Sequence, residues 1–169
     1  GLDPRCCSFG LMDIAFPDRL ILLLSVDIVG SAAFKAEAGH LDGCPAWVSA
    51  FEAFYDRVPK LLQDQRLNLG DGLAANLQLW KAIGDQLVFL ARPTDPDQLE
   101  GECLAFLRGL RQANDFMRGR WGFGLHGVVW AFPEGGANVS FRFGEPLLSG
   151  GTSFDLIGPD VDLGFRLVA

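Results

Sequence analysis

The longest apolar segment of the chain runs from Leu20 to Val29, where only Ser25 and Asp27 interrupt a row of mostly branched side chains. A nearly continuous apolar run of this length is typical of a central strand that is covered on both faces. Gly30 ends the run. The sequence therefore predicts a buried strand here, followed by a loop that extends to about residue 44.

Two later segments have the spacing of helices. Pro45 suits the first turn of a helix, and the apolar residues after it recur at intervals of three and four, which predicts a helix of about five turns. Its apolar positions are Trp47, Val48, Phe51, Phe54, Tyr55, Val58, Leu61 and Leu62. Pro59 is expected to kink this helix. A second helix is predicted from about 96 to 118.

The segment between these helices alternates in polarity and predicts a hairpin. From 76 to 83 the alternation places Leu77, Leu79 and Lys81 on one face and Gln78, Trp80 and Ala82 on the other. Gly84 and Asp85 form the tip, and 86–91 is the returning strand.

Further strands are predicted at 122–132 and 154–157, and a helix begins at Asp160. The glycine-rich segment 133–151 has no pattern that assigns it to a helix or a strand, and its glycine pairs at 135–136 and 150–151 are interpreted as mobile loop. This order predicts an α+β fold in which helices pack on a mainly antiparallel, ferredoxin-like sheet.

Composition narrows the class of protein. The chain has 169 residues, 49% of them apolar and 21% charged, which suits one folded domain and excludes disordered, collagen-like and coiled-coil proteins. The net charge of −7 argues against a general nucleic-acid binder. A bound nucleotide would need a metal ion or a few local cations.

Processing and location are also expectations from the sequence. No apolar segment is long enough to span a bilayer, and the first eleven residues lack the order of a signal peptide. Residues 1–11 are interpreted as a leader or expression remnant, and 12–169 as the domain. Four cysteines without a CxxC pair argue against a zinc site. We expect a cytoplasmic protein with reduced thiols and no membrane partner.

Two aspartates are the first candidates for chemistry. Asp27 lies near the end of the buried strand, where an ionised carboxylate is costly unless it is paired or binds a metal. Asp85 lies at the hairpin tip. Each has a plain alternative, since Asp27 could cap a turn and Gly-Asp is a common turn pair. On adjacent strands, however, the two could hold divalent cations together with substrate phosphates.

Four segments resemble motifs of the class III nucleotidyl cyclases. Ser25–Ser31 (SVDIVGS) resembles their first metal motif, and Lys81–Asp85 (KAIGD) resembles the second. Gly122–Gly127 (GFGLHG) is similar to their GIHTG strand, and Phe154–Leu167 matches the spacing of their YDxxGxxVNxAxRL segment. The segments occur in the family's order and span 20–167. The resemblance implies the ferredoxin-like cyclase fold.

The resemblance also implies roles for individual residues. It assigns two Mg²⁺ or Mn²⁺ ions per site to Asp27, Asp85 and the Ile28 carbonyl, and the triphosphate to Val29, Gly30 and Ser31. It assigns recognition of the base to Lys81 and Asp155. It assigns stabilisation of charge at the α-phosphate to Arg166, and orientation of the ribose to Asp162. The implied reaction converts a nucleoside triphosphate into a 3′,5′-cyclic nucleotide and pyrophosphate. A homodimer with shared sites and a downstream cyclic-nucleotide-binding effector are the implied partners.

The sequence departs from the family pattern at several positions. Asp162 replaces the ribose-orienting Asn, Ala32 replaces a frequent Thr, and Val129 stands where some members carry a basic residue. The sequence ends three residues after Arg166, which we interpret as a missing C-terminal part of the domain. His126, in an apolar strand, is expected to be a packed core residue. Tyr55 is expected in the core or a dimer surface, with a place in the base pocket as the alternative.

Several functions stay open at this point. Lys81 and Asp155 suit adenine, but a lysine can also donate to O4 of uracil. The substrate is therefore ATP, or else UTP or CTP as in the stand-alone bacterial pyrimidine cyclases of anti-phage defence. The alternatives are a catalytically silent cyclase-like domain that binds nucleotide as a sensor, and a ferredoxin-like interaction module.

Overall fold

The computed structural model describes residues 16–41, 44–69, 73, 77–142 and 154–168. The predicted leader at 1–11 and the later part of the predicted glycine-rich loop lie outside the described residues. In chain order the elements are β1 (Leu20–Ile28), α1 (Ser31–Glu37), β2 (His40–Leu41), β3 (Cys44–Pro45), α2 (Ala46–Leu69), β4 (Gln78–Ile83), β5 (Gln86–Ala91), α3 (Pro96–Trp121), β6 (Leu125–Pro133), β7 (Val139–Arg142), β8 (Phe154–Ile157) and α4 (Pro159–Val168).

The buried apolar run forms the centre of the main sheet, as predicted. β1 lies between β5 and β6 in the order β4-β5-β1-β6, and every pairing is antiparallel. The β4–β5 hairpin turns at Gly84, which has a positive φ of 61°. This strand order, with two long helices on one face, confirms the predicted α+β, ferredoxin-like architecture.

Helices α2 and α3 cover one face of this sheet. Alternate residues of β1 (Leu22, Leu24, Val26 and Ile28) pack against Phe54 and Phe106 of the two helices. Asp95 caps α3 by accepting a hydrogen bond of 2.8 Å from the Gln98 N–H. Helix α2 contains Pro59 and continues to Leu69, beyond the predicted five turns. Within the described ranges, no helix has the length and apolar character needed to cross a membrane.

The predicted loop after β1 is wrong. The chain forms the short helix α1 there, followed by the small β2–β3 hairpin. Gly30, with φ at 71°, lets the chain turn sharply from β1 into α1. The seven residues of α1 are too few for a periodic signal, and Phe34 is placed by its contact with Phe123, whose ring centroid lies 4.8 Å away. The helix therefore depends on a distant contact that local sequence does not reveal.

The predicted strict alternation of β4 is also wrong. The register shifts between Leu79 and Lys81, so β4 contains a bulge. Lys81 pairs with Val88, and Trp80 packs with the apolar cluster that contains Val88. Because a bulge adds one residue to a strand, Trp80 and Lys81 lie on the same face of the sheet, opposite α2 and α3.

The second face of the sheet is covered at one end by the C-terminal elements. β7 and β8 form a separate antiparallel pair, which confirms the predicted strand at 154–157. Phe165 of α4 packs edge-on against Trp130 of β6, with ring centroids 5.7 Å apart. Ile21 and Leu23 of β1 are completely buried beneath this layer.

A buried ion pair joins α2 to α3 on the opposite face. The Arg66 guanidinium donates to both carboxylate oxygens of Glu102, at 2.7 and 2.6 Å, and each residue is only 1% exposed. Burial raises the pKa of Glu102, and the Arg66 charge opposes that rise. The pair lies beside Leu24 and Phe106, among apolar side chains.

We expect Glu102→Leu to destabilise the fold by about 3–5 kcal/mol, because it leaves a buried arginine without its carboxylate. The double variant Arg66→Met/Glu102→Leu should recover most of that loss, because neither charge is then buried. Urea unfolding of the wild type, both single variants and the double variant gives the coupling energy. Losses that simply add would contradict the assignment of one shared ion pair.

Candidate functional site

Asp27 and Asp85 meet at one end of the sheet. Asp27 is the penultimate residue of β1 and lies opposite Gln86 of β5 in the register. Asp85 directly precedes Gln86 at the hairpin tip, and its carbonyl accepts a hydrogen bond of 3.2 Å from the Ile28 N–H. The sequence predicted that these two aspartates hold divalent cations together, and the structure places them next to each other.

The electrostatics of the pair are unfavourable without a counterion. The pKa of Asp27 is raised, first by burial and then by the negative charge of Asp85. A hydrogen bond from the Ile28 backbone and the charges of His126 and Lys35 oppose this rise. A cation bound between the carboxylates would remove the repulsion, so the arrangement suits a metal ion.

Two hydroxyl groups hold the hairpin tip. Ser31, the first residue of α1, donates to the Asp85 carboxylate, and Tyr55 of α2 donates to the Gly84 carbonyl. Sequence reasoning missed both contacts, because the partners lie 54 and 29 residues apart in the chain. Their spacing carries no local signal that could have revealed them.

Tyr55 also lines a cleft on the helical side of the hairpin. The cleft has a volume of about 410 Å³ and is lined by Lys35, Trp47, Val48, Phe51, Glu52, Tyr55 and Gly84. The residues predicted to read the base are not among them. Tyr55 is therefore partly exposed beside the hairpin tip, neither in the core nor beside Lys81 and Asp155.

Some backbone groups of the turn predicted to hold phosphate already form hydrogen bonds within the protein. The Val29 N–H donates to the Gly124 carbonyl at 3.0 Å. Gly30 is left-handed, and its carbonyl accepts from the Phe34 N–H at 3.0 Å. From this turn, the N–H groups of Gly30 and Ser31 are better placed to face an anion than that of Val29.

Lys81 and Asp155, the predicted base-reading pair, also come together. Their side chains form an ion pair of 2.5 Å, and both remain partly exposed. The Lys81 ammonium also lies 4.4 Å from the centroid of the Trp80 ring. The bulge in β4 makes this possible, because it turns Lys81 toward β8.

Arg166 and Asp162 lie exposed on α4. Phe165, next to Arg166, fixes the helix against Trp130 and Trp80. In the part of the chain that the structure describes, no hydrogen bond or ion pair joins Asp27 or Asp85 to Lys81, Asp155 or Arg166. The predicted site residues thus form separate groups within one chain.

The sheet register gives the separation of these groups. Lys81 pairs with Val88, which lies opposite Ser25, two residues before Asp27. At ordinary strand spacing, the Cα atoms of Lys81 and Asp27 are then about 12 Å apart. Ser25 and Val88, which lie between them, are buried. At the end of the sheet, His126 of β6 lies opposite Asp27 and is exposed, so the expectation that His126 packs in the core is wrong.

The residues present fit a divalent cation that is completed by other ligands. Among the described residues there is no cluster of three His, Cys, Asp or Glu side chains. Mg²⁺ commonly takes one or two carboxylates and fills its remaining positions with water and substrate phosphates. Asp27, Asp85 and the Ile28 carbonyl could supply such a partial set.

Comparisons with known proteins agree with this fold. No family model matches the sequence, and the search of curated proteins found no match. The structure of an adenylyl cyclase, CyaB from P. aeruginosa, is similar with a TM-score of 0.51 at 15% identity, over 88% of this chain and 70% of that one. The structure of a bacterial light-regulated adenylyl cyclase has a TM-score of 0.52 at 13% identity, over 88% of this chain and 68% of that one. A further structure of a bacterial light-regulated adenylyl cyclase has a TM-score of 0.55 at 14% identity, over 91% of this chain and 40% of that one.

The chain has the fold of a nucleotidyl cyclase. At these identities the likeness shows the architecture and leaves the chemistry to the side chains of the site. The cyclase-like fold does, however, agree with the resemblance of the four sequence motifs.

We expect Asp27→Asn to stabilise the metal-free protein at pH 7. The folded state raises the pKa of Asp27, so it binds this proton more tightly than the unfolded state. Stability is therefore lost as the pH rises above the ordinary value of 3.8. The advantage of the variant should shrink as the pH falls toward 4, and thermal unfolding across pH measures it.

The same unfolding measurement with added Mn²⁺ tests whether Asp27 binds a metal ion. The wild type should gain about 2.7 kcal/mol at a concentration 100-fold above Kd, whereas Asp27→Asn should gain much less. Asp115→Asn, at an exposed position on α3, serves as the matched control. Equal stabilisation of both Asp variants by Mn²⁺ would count against a metal site at Asp27.

Proposed function

We propose that the chain is a nucleotidyl cyclase that forms a 3′,5′-cyclic nucleotide from a nucleoside triphosphate. The observation that carries this proposal is the pair of adjacent carboxylates, Asp27 and Asp85, at the open end of a cyclase-like sheet. A protein that only needed this fold would have no reason to retain the repulsion between them. The pair is the chemical feature that phosphoryl transfer with divalent cations requires.

The side chains divide the work of binding. Asp27, Asp85 and the Ile28 carbonyl would hold two Mg²⁺ or Mn²⁺ ions, which lower the pKa of the ribose 3′-hydroxyl and neutralise the triphosphate. The N–H groups of Gly30 and Ser31 would face the phosphates. Asp162, where the family has Asn, would orient the ribose by accepting a hydrogen bond from a hydroxyl group.

The reaction is an in-line displacement at the α-phosphorus. The 3′-oxygen forms a bond to that phosphorus, the bond to the β-phosphate oxygen breaks, and pyrophosphate leaves. The 3′-hydroxyl proton passes to solvent. Arg166 would stabilise the charge that develops on the α-phosphate, for which a permanently charged, planar guanidinium is suited.

Lys81 and Asp155 would read the base. In the free protein they pair with each other, so a base must offer both an acceptor and a donor to replace that ion pair. The ring nitrogen and amine of adenine do so, as do the corresponding edge groups of cytosine. Uracil offers O4 to Lys81 and its N3–H to Asp155. A product from UTP or CTP would fit the anti-phage subgroup and its cyclic-nucleotide effector.

The separation of the two groups supports a homodimer with shared sites. Among the described residues, no hydrogen bond or ion pair joins Asp27 and Asp85 to Lys81 and Asp155, and the two aspartates are only half-buried at the end of this sheet face. A second copy on that face could bring its own Lys81, Asp155 and Arg166 to the first copy's aspartates. Symmetry would then give two equivalent sites.

The second candidate is a catalytically silent domain that binds nucleotide. The observation that favours it is Asp162, a carboxylate in place of the family's Asn, which adds negative charge where phosphates would bind. Such a domain would bind a triphosphate and release no product.

Product analysis tests the proposal. We expect the full chain, with Mn²⁺, to form a cyclic product from UTP, CTP or ATP, detected by mass spectrometry. Asp27→Ala and Asp85→Ala should lower turnover by at least about 100-fold through loss of the metal, while Asp115→Ala should retain it. Unchanged turnover in either active-site variant would contradict the assignment. Nucleotide binding without a product in the folded wild type would favour the silent domain.

A further inference from the structure

The hairpin tip that carries Asp85 is not fixed by packing. Ala82 and Gly84 are exposed, and Ile83 is 48% exposed. A Cβ atom added to Gly84 would meet no other atom within 4 Å. An exposed hairpin tip would move freely if hydrogen bonding did not restrain it, and a metal ligand on such a tip would be poorly placed.

Three hydrogen bonds restrain this tip from three different elements. The Ile28 N–H of β1 donates to the Asp85 carbonyl. The Ser31 hydroxyl of α1 donates to Asp85 Oδ2, and the Tyr55 hydroxyl of α2 donates to the Gly84 carbonyl. The first bond belongs to the backbone of the sheet, whereas the other two depend on particular side chains.

We propose that Ser31 and Tyr55 are positioning residues that orient Asp85 for a divalent cation. Ser31 holds one oxygen of the carboxylate and leaves Oδ1 to face the ion. Tyr55 anchors the backbone of the tip at Gly84. The proposal rests on the proposed function, because it assumes that Asp85 is a metal ligand.

The chemistry of a hydroxyl donor suits this role. A carboxylate that accepts a hydrogen bond on one oxygen loses rotational freedom, so its other oxygen needs less reorganisation to bind an ion. Residues that orient a metal ligand in this way typically change affinity or activity by 10–100-fold. Ser31 is 8% exposed, so water competes little for this contact.

The backbone N–H of Ser31, which the proposed function places at the phosphates, is kept in Ser31→Ala. The alternative therefore concerns the hydroxyl alone, which could donate to a phosphate instead of to Asp85. The two roles make different predictions. A positioning residue affects the affinity for the metal ion even when no nucleotide is present. A phosphate contact affects the affinity for the triphosphate and leaves binding of the ion alone unchanged.

The test is Mn²⁺ binding to the full chain without nucleotide, followed by the electron paramagnetic resonance signal of free Mn²⁺. We expect Ser31→Ala to weaken binding by about 10–100-fold, and Tyr55→Phe to weaken it by a smaller factor. Ser31→Thr keeps the hydroxyl and should restore affinity. Ser49→Ala, in α2 on the cleft toward α3, is the matched control and should bind like the wild type.

Turnover gives a second readout. In Ser31→Ala, the Mn²⁺ concentration for half-maximal turnover should rise while kcat recovers at saturating Mn²⁺. Unaltered thermal midpoints of the metal-free variants show that the fold is intact.

The outcomes separate the two proposals. If the wild type binds Mn²⁺ and Ser31→Ala binds it equally well, the positioning role is overturned and the metal site stands. An effect of Ser31→Ala on the KM for triphosphate alone also overturns it, in favour of the phosphate contact. If the folded wild type binds no Mn²⁺, the metal site itself fails, and with it both proposals.

Discussion

The site depends on two like charges that the sheet register forces together. β1 carries Asp27 to its end, and the antiparallel pairing with β5 brings Asp85 beside it. Neither aspartate can move away to relieve this repulsion without breaking the hydrogen bonds between β1 and β5. Burial and the neighbouring charge raise the pKa of Asp27, and a bound cation, as proposed, would relieve the repulsion between the two carboxylates.

The rest of the architecture supports that arrangement. Helices α2 and α3 bury one face of the sheet, and the Arg66–Glu102 ion pair joins them. On the opposite face, β8 and α4 pack over Ile21, Leu23 and Val88, whereas Asp27 and Asp85 at the end of the sheet are only half-buried. Lys81, Asp155 and Arg166 lie partly exposed on elements that a second copy could present to the aspartate pair in the proposed dimer.

Much of the fold was accessible from the sequence because its signals are local. The apolar run of β1, the helical spacing after Pro45 and the Gly84–Asp85 turn each predict one element. The bulge at Trp80 and the helix α1 were not accessible, because both depend on contacts with residues far along the chain. For the site, the residues themselves pointed to Asp27 and Asp85, and motif resemblance added Lys81 and Asp155. The structure places Asp27 beside Asp85 and Lys81 beside Asp155. The hydroxyl groups of Ser31 and Tyr55 reach the hairpin tip only through tertiary structure.

In the proposed dimer, one copy's aspartates and the other copy's Lys81, Asp155 and Arg166 form a single site. The most direct test of this shared site is to mix two inactive variants and measure whether activity returns. Asp27→Ala and Arg166→Ala chains should each be nearly inactive, and an equal mixture after subunit exchange should recover about a quarter of wild-type cyclic-product formation, because half of the random dimers are mixed and each has one intact site. No recovery from exchanged, folded dimers, with an active wild type, would contradict the account.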